Sequence, residues 1–168
     1  MLQMKLFNTF VRPIVEYGSP VWSPHLKQDV VIIERVQKYF TKRLRGLSSL
    51  QYTERLSKLN QSSLQVRRVS TDLILLFKIL HGLVDTDLKR LFTFASDVAV
   101  CDRALRGHAF KLYLPKPRTD MLKYNYVYRV VKYWNSLPSS VCDVTSVSLF
   151  KLRLSDYLNK PGFSLINF

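Results

Sequence analysis

Arg35, Lys38, Lys42 and Arg45 recur at intervals of three and four residues. At about 100° per residue, such intervals gather side chains on one face of a helix. Ile33, Val36, Phe40 and Leu44 follow the same spacing on the opposite face. Packed by its apolar side, this helix would turn a row of cations outward. Such a row suits the phosphates of a nucleic acid and would position the ligand without reading its sequence. The plainer alternative is solvation, the ordinary role of charges on the wet face of an amphipathic helix. Arg67 and Arg68 add two more cations. A further set, Arg106, Lys111, Lys116 and Arg118, is interleaved with His108, Tyr113, Tyr124, Tyr126 and Tyr128. Rings among cations can stack on unpaired bases while the cations hold the backbone; equally, Tyr126 and Tyr128 can belong to a helix face that covers a core.

The distribution of charge moves the reading toward binding. The 168 residues contain 26 Lys and Arg against 12 Asp and Glu, a net charge of +14. Residues 27–68 and 103–133 each carry net +7, and the stretch between them is slightly acidic. A surface of this kind attracts polyanions, so RNA or an RNA–DNA duplex is the expected partner. A membrane is the weaker rival, because no apolar run approaches the roughly 18–20 residues a spanning helix needs. Met1-Leu2-Gln3-Met4-Lys5 does not open like a secretion signal. Cys101 and Cys142 are too few and too far apart for a disulfide framework or a metal knuckle, which fits an intracellular, reducing compartment.

Catalytic chemistry leaves no trace in the residues. Two-metal nucleotidyl transfer needs converging carboxylates, and no two acidic residues are adjacent anywhere in the chain. Its 5 glycines form no phosphate loop, and His25, His81 and His108 have no metal-ligand spacing. No catalytic residue, metal or cofactor is expected.

The elements that would position the cations are mainly α. Residues 2–12 read as a helix ended by Pro13. Residues 13–28, with Pro13, Gly18, Pro20 and Pro24, read as a loop anchored by Tyr17, Val21 and Trp22. Helices are predicted over 29–45 with Asp29 as cap, 53–59 with Thr53 as cap, 63–80 with Ser62 or Ser63 as cap, 85–94, 124–136, and 147–158 with Ser146 as cap. Residues 108–114 alternate, Phe110, Leu112 and Leu114 against Lys111 and Tyr113, which predicts one minor β element. Trp22, Phe40, Leu73, Phe77, Trp134 and Phe150 are the expected core.

Several segments carry a further signal. They are Val11-Arg12-Pro13-Ile14-Val15-Glu16-Tyr17-Gly18-Ser19-Pro20-Val21-Trp22-Ser23-Pro24, Ile33-Glu34-Arg35-Val36-Gln37-Lys38, Thr41-Lys42-Arg43 with Gly46-Leu47, Tyr52-Thr53-Glu54-Arg55-Leu56, Arg67-Arg68, Asp72-Leu73, Arg106-Gly107-His108, Pro117-Arg118-Thr119, Trp134-Asn135-Ser136-Leu137-Pro138 and Ser148-Leu149-Phe150-Lys151. In this order they resemble the region after the polymerase core in reverse transcriptases of jockey-like non-LTR (LINE) retrotransposons. The resemblance implies a thumb-like helical region over residues 1–82 and a C-terminal helical extension over 83–168. It implies RNA-directed DNA polymerase as the parent activity, with the nuclease and the catalytic palm ahead of Met1, and that missing palm as a packing partner. Gly18 stands where such proteins often have cysteine, which argues against a metal site there. Two other expectations stand beside this one: a helical protein-interaction module, and a functionless remnant of a degenerate element.

Overall fold

The three- and four-residue spacing of apolar side chains is realised as helix through most of the chain. The computed structural model describes residues 2–98 and 108–160, and these are mainly helical. They divide into two units, 1–68 and 69–168. The division falls inside one long helix, ahead of the position expected after residue 82. Among the described residues no helix is long and apolar enough to cross a membrane.

The first unit begins with α1 (Leu2–Leu6), a π-turn (Phe7–Val11) and α2 (Arg12–Glu16) in one helical path. Pro13 was expected to end that path. It sits instead in the first turn of α2, where a missing N–H removes no helical bond. The wider π-turn just before it, closed by Arg12 N–H donating to the Phe7 carbonyl, absorbs the irregularity. Gly18, at a φ of 63°, turns the chain into α3 (Ser19–Trp22), so the expected loop over 13–28 is largely helical. Glycine, without a Cβ, takes that backbone conformation at no steric cost.

Next come α4 (Lys27–Lys42), α5 (Tyr52–Lys58) and α6 (Leu64–Leu80). The α4 helix buries a polar side, Glu34, Gln37 and Thr41, and not the apolar face the periodicity suggests. The Glu34 carboxylate accepts from the backbone amides of Leu64 (3.1 Å) and Gln65 (3.2 Å). These are free donors at the start of α6. The Tyr52 hydroxyl donates to the same carboxylate. Burial, and then Glu34, push the Tyr52 phenol far above its ordinary range. Gln37 donates to the Ser62 carbonyl at 3.0 Å. Arg55, buried, donates to the Thr41 hydroxyl (3.2 Å) and the Leu50 carbonyl (2.7 Å). Apolar packing in the unit is modest: Met4, Phe7, Leu56 and Leu64 are buried, and Phe7 stacks on Phe40 at 4.4 Å. Trp22, expected in the core, is 40% exposed, and Phe40 is half-buried. Among the described residues of this unit, no segment closes over Trp22.

The second unit takes the rest of α6, a 3₁₀ turn (Asp87–Leu91) where a short helix over 85–94 was expected, α7 (Ala95–Val98), α8 (Asp120–Tyr124), α9 (Tyr126–Ser136), α10 (Ser139–Cys142) and α11 (Val147–Leu158). Its core is apolar. Leu73, Phe77, Trp134 and Phe150 are all buried as expected. Phe77 stacks on Phe150 at 4.3 Å, and Trp134 lies 5.9 Å from Phe150. Residues 108–114 run extended, but among the described residues they form one bridge, Phe94 to Leu112, and no strand. The partner of this segment is α9, through side chains. Asn135 accepts from Leu112 N–H (2.9 Å) and donates to its carbonyl (2.8 Å). Trp134 donates to the Phe110 carbonyl at 2.7 Å, and His108 Nε2 lies 3.1 Å from the Trp134 carbonyl. Deeper in, Asp72 accepts from Arg129 at 3.0 Å, both side chains nearly or fully buried.

Two outcomes follow for stability. Trp134→Ala removes a fully buried indole and should cost about 3–5 kcal/mol, read as the change in urea unfolding free energy. His108 is held below its ordinary pKa first by burial, with Lys111 adding to this and the Trp134 carbonyl and Asp143 opposing it. His81 is lowered too, again first by burial. A folded-state pKa below the unfolded value means that the unfolded chain binds more protons. The stability these groups contribute is therefore complete above about pH 6.5 and is lost as pH falls below it. The urea midpoint should decline from about pH 7 to 5, and His108→Asn should flatten part of that decline.

Candidate nucleic-acid interface

The positions of the carboxylates decide which cations are free to meet a ligand. In the first unit Glu16 pairs with Arg67, Glu34 is buried against the start of α6, and Glu54 closes a capping box with Gln51 at the start of α5. Asp29 lies in the first turn of α4, where a negative charge complements the helix dipole. Glu16 and Glu34 are drawn into the fold, and several cations are left outside.

Not every expected site residue is among those cations. Arg35 and Lys42 lie exposed on α4. Lys38 is half-buried, with its ammonium 5.2 Å from the centre of the Tyr52 ring. The helix stops at Lys42, so Arg45 stands in the turn that follows, exposed but off the helix. The row of four is thus two helical cations, one tethered side chain and one turn residue. Arg67 is held by Glu16 through two bonds, one of them 2.9 Å. Arg68 is 2% exposed, too deep for its guanidinium to reach a phosphate. Arg12, another cation of this unit, bonds Asn8 (3.0 Å) and Gln61 (3.1 Å); burial first, and Arg67 next, lower its pKa.

Arg43 was absent from the expected set. It is exposed, and its guanidinium lies 3.9 Å from the centre of the Tyr39 ring, itself 60% exposed. The four-residue interval between a helical tyrosine and the arginine that follows the last turn was the available signal. Arg35, Lys42, Arg43 and Arg45, with Lys27 and Lys58, make up an exposed cationic set in this unit.

In the second unit, Lys116 and Arg118 are exposed beside Pro115 and Pro117, and Lys111 is half-buried. Arg106 lies outside the described residues. The aromatic partners divide. Tyr113 is 47% exposed and stands clear enough to meet a base. Tyr126 is half-buried and donates to the Asp72 carbonyl at 3.1 Å, and burial pushes its phenol well above its ordinary range. It covers the core, the second of the two roles its position allowed. Cys142 is buried and its thiol is pushed up to about 12 by burial, which leaves it unreactive at neutral pH. Among the described residues no three His, Cys, Asp or Glu side chains come together as a metal would require.

No known protein family matches the chain, and no solved structure matches it. A protein of Caenorhabditis elegans described as uncharacterized is 32% identical over 84 residues, 48% of this chain and 42% of that protein. The chain therefore covers less than half the length of this relative.

The division between exposed and tethered arginines is measurable. Changing Arg35, Lys42, Arg43 and Arg45 together to Gln should alter folding stability by no more than about 0.5 kcal/mol per site, because exposed positions tolerate substitution. Arg55→Met should cost about 1–3 kcal/mol, since it removes the donor to the Leu50 carbonyl and the bond to the Thr41 hydroxyl. Urea unfolding of the two variants beside the parent chain reads both.

Proposed function

We propose that this chain is a non-catalytic C-terminal region of the RNA-directed DNA polymerase of a jockey-like non-LTR retrotransposon, and that it holds RNA or an RNA–DNA template–primer by the phosphate backbone. The observation that carries this reading is the one-sided use of charge in the first unit. Glu16, Glu34 and Glu54 are engaged within the fold, while Arg35, Lys42, Arg43 and Arg45 face solvent. Such a surface binds polyanions with little regard to sequence and releases counterions as it does so. Lys116 and Arg118 give the second unit exposed cations of its own.

The place of the chain beside a catalytic palm is supported by apolar exposure. Leu2 (70%), Phe10 (66%), Ile14 (77%), Tyr17 (86%) and Val21 (90%) all stand in solvent. Large apolar side chains left exposed over so short a stretch support a surface that another protein body covers. In this reading that body is the palm, which supplies the metal-binding carboxylates. This chain supplies grip on the duplex and none of the chemistry.

The experiment is a titration of the purified chain with RNA–DNA hybrids of two unrelated sequences at several salt concentrations. Both hybrids should bind with similar affinity, and log K should fall linearly with log salt. The Arg35, Lys42, Arg43 and Arg45 to Gln variant should bind both more weakly, and its salt slope should shrink by roughly one unit for each phosphate no longer neutralised. Equal affinities for parent and variant, or an affinity flat in salt, would overturn the assignment. Primer extension by the chain alone should not be detected with any divalent metal.

A further inference from the structure

The solvent side of α4 is apolar, and nothing in the first unit's own packing accounts for it. Positions 32, 36, 39 and 43 follow at intervals of four, three and four. That is the spacing of the contact seam between two helices of a coiled coil. Ile32 is 56%, Val36 37% and Tyr39 60% exposed, and Arg43 lies across the Tyr39 ring. At about 100° per residue, this ridge stands nearly opposite the buried Glu34, Gln37 and Thr41. Seven residues apart on one flank are Arg35 and Lys42, both exposed; on the other are Ile33 and Phe40, both half-buried, with Phe40 stacked on Phe7. The seam is thus closed by the unit on one flank and lined by cations on the other.

We propose that this ridge docks an amphipathic helix of a partner protein, its apolar seam on Ile32, Val36 and Tyr39 and its Asp or Glu flank on Arg35 and Lys42. Charge selects the occupant. In an antiparallel pair of two copies, the flank bearing Arg35 and Lys42 would face itself. In a parallel pair, Arg43 would face Arg43 across the seam, and the two cations would meet Ile33 and Phe40. Asp29 lies on the seam line in the first turn of α4, so neither arrangement sets an acid on the flank opposite Arg35 and Lys42, and flank charges set partner choice in helix pairs. A nucleic-acid backbone would satisfy the cations but would leave the apolar seam against phosphate and water, where its burial gains nothing. An acidic-flanked helix satisfies both. The proposal does not depend on the polymerase reading, although it shares Arg35 and Lys42 with it.

The test uses the whole chain and a labelled synthetic peptide of about four heptads, with Leu along its seam and Glu on both flanks, so that its own charge keeps it monomeric. A second peptide carries Lys on the flanks. Fluorescence anisotropy should show the Glu peptide binding and the Lys peptide not binding, with the Glu peptide gaining helicity by circular dichroism. Ile32→Gln and Val36→Gln together, which leave the Tyr39 ring beside Arg43 in place, should weaken binding about tenfold or more. These side chains are exposed, so unfolding midpoint and RNA–DNA affinity should stay at parental values. Arg35→Glu with Lys42→Glu should reverse the preference to the Lys peptide. Undiminished Glu-peptide binding by the Gln variant would overturn the proposal, since charge alone would then be holding the peptide. So would self-association of the parent chain in sedimentation that the Gln variant abolishes, because the occupant would then be a second copy. Loss of RNA–DNA affinity in the Gln variant would reassign the ridge to nucleic acid. Absence of RNA–DNA binding in the parent, with peptide docking intact, would remove the polymerase reading and leave this one standing.

Discussion

The carboxylate of Glu34 is the constraint on which the first unit turns. It comes from the middle of α4, is buried, and accepts from the first amides of α6 and from the hydroxyl of Tyr52 on α5. Three helices thus converge on one side chain. A buried carboxylate is costly without donors, and amides at a helix start need acceptors; each requirement is met by the other. The geometry admits one rotation of α4 about its own axis, the one that turns Glu34 inward. Gln37 and Thr41 then come inward with it, because they lie within one and two turns on the same side. Both find backbone partners or Arg55 there.

A similar device operates in the second unit with different residues. Trp134 and Asn135 are neighbours on α9, and both bond the backbone of the extended segment, at Phe110 and Leu112. The Asn135 amide offers one donor and one acceptor, the pair a neighbouring strand would offer. The segment is satisfied without a sheet, which is why its alternating pattern ends in a single bridge. The same indole that donates to Phe110 packs near Phe150 in the core, so apolar packing and backbone satisfaction are set by one residue. The fold thus gives the pair Trp134-Asn135 a structural role.

How much of this was legible beforehand depended on whether a residue's local pattern agreed with its tertiary role. In α11 the stripe of Phe150, Leu154 and Leu158 and the position of Ser146 are decided locally, and the helix spans the expected residues. Trp134 was placed correctly because its neighbours on α9 are apolar at helical spacing. Local pattern failed at α4. Its apolar stripe is strong, but the free amides at the start of α6 exert a demand that no window around residue 34 contains. It failed again at Pro13, where a π-turn makes room for a ring that would otherwise break the helix. Tyr17, Val21 and Trp22 read as anchors because they are large and apolar. The sequence holds no sign that the helices of the unit leave them in solvent.

The candidate site was legible to the same extent. Arginine and lysine look alike in a sequence whether they serve the fold or a ligand, and here the carboxylates and carbonyls separate them. Arg55, Arg67 and Arg129 each meet an acceptor inside the structure; Arg35, Lys42 and Arg43 do not lie among the buried. The rotation of α4 that Glu34 imposes also fixes what solvent sees. With a polar side turned inward, the apolar side chains of Ile32, Val36 and Tyr39 must be left outside. A helix shaped only to stabilise its own unit would gain by the reverse arrangement, since each part-exposed aliphatic forgoes a share of the roughly 1.5–3 kcal/mol that full burial contributes. Selection for an inner polar network and an outer apolar ridge on the same sixteen residues makes sense if the outer ridge has a surface to meet.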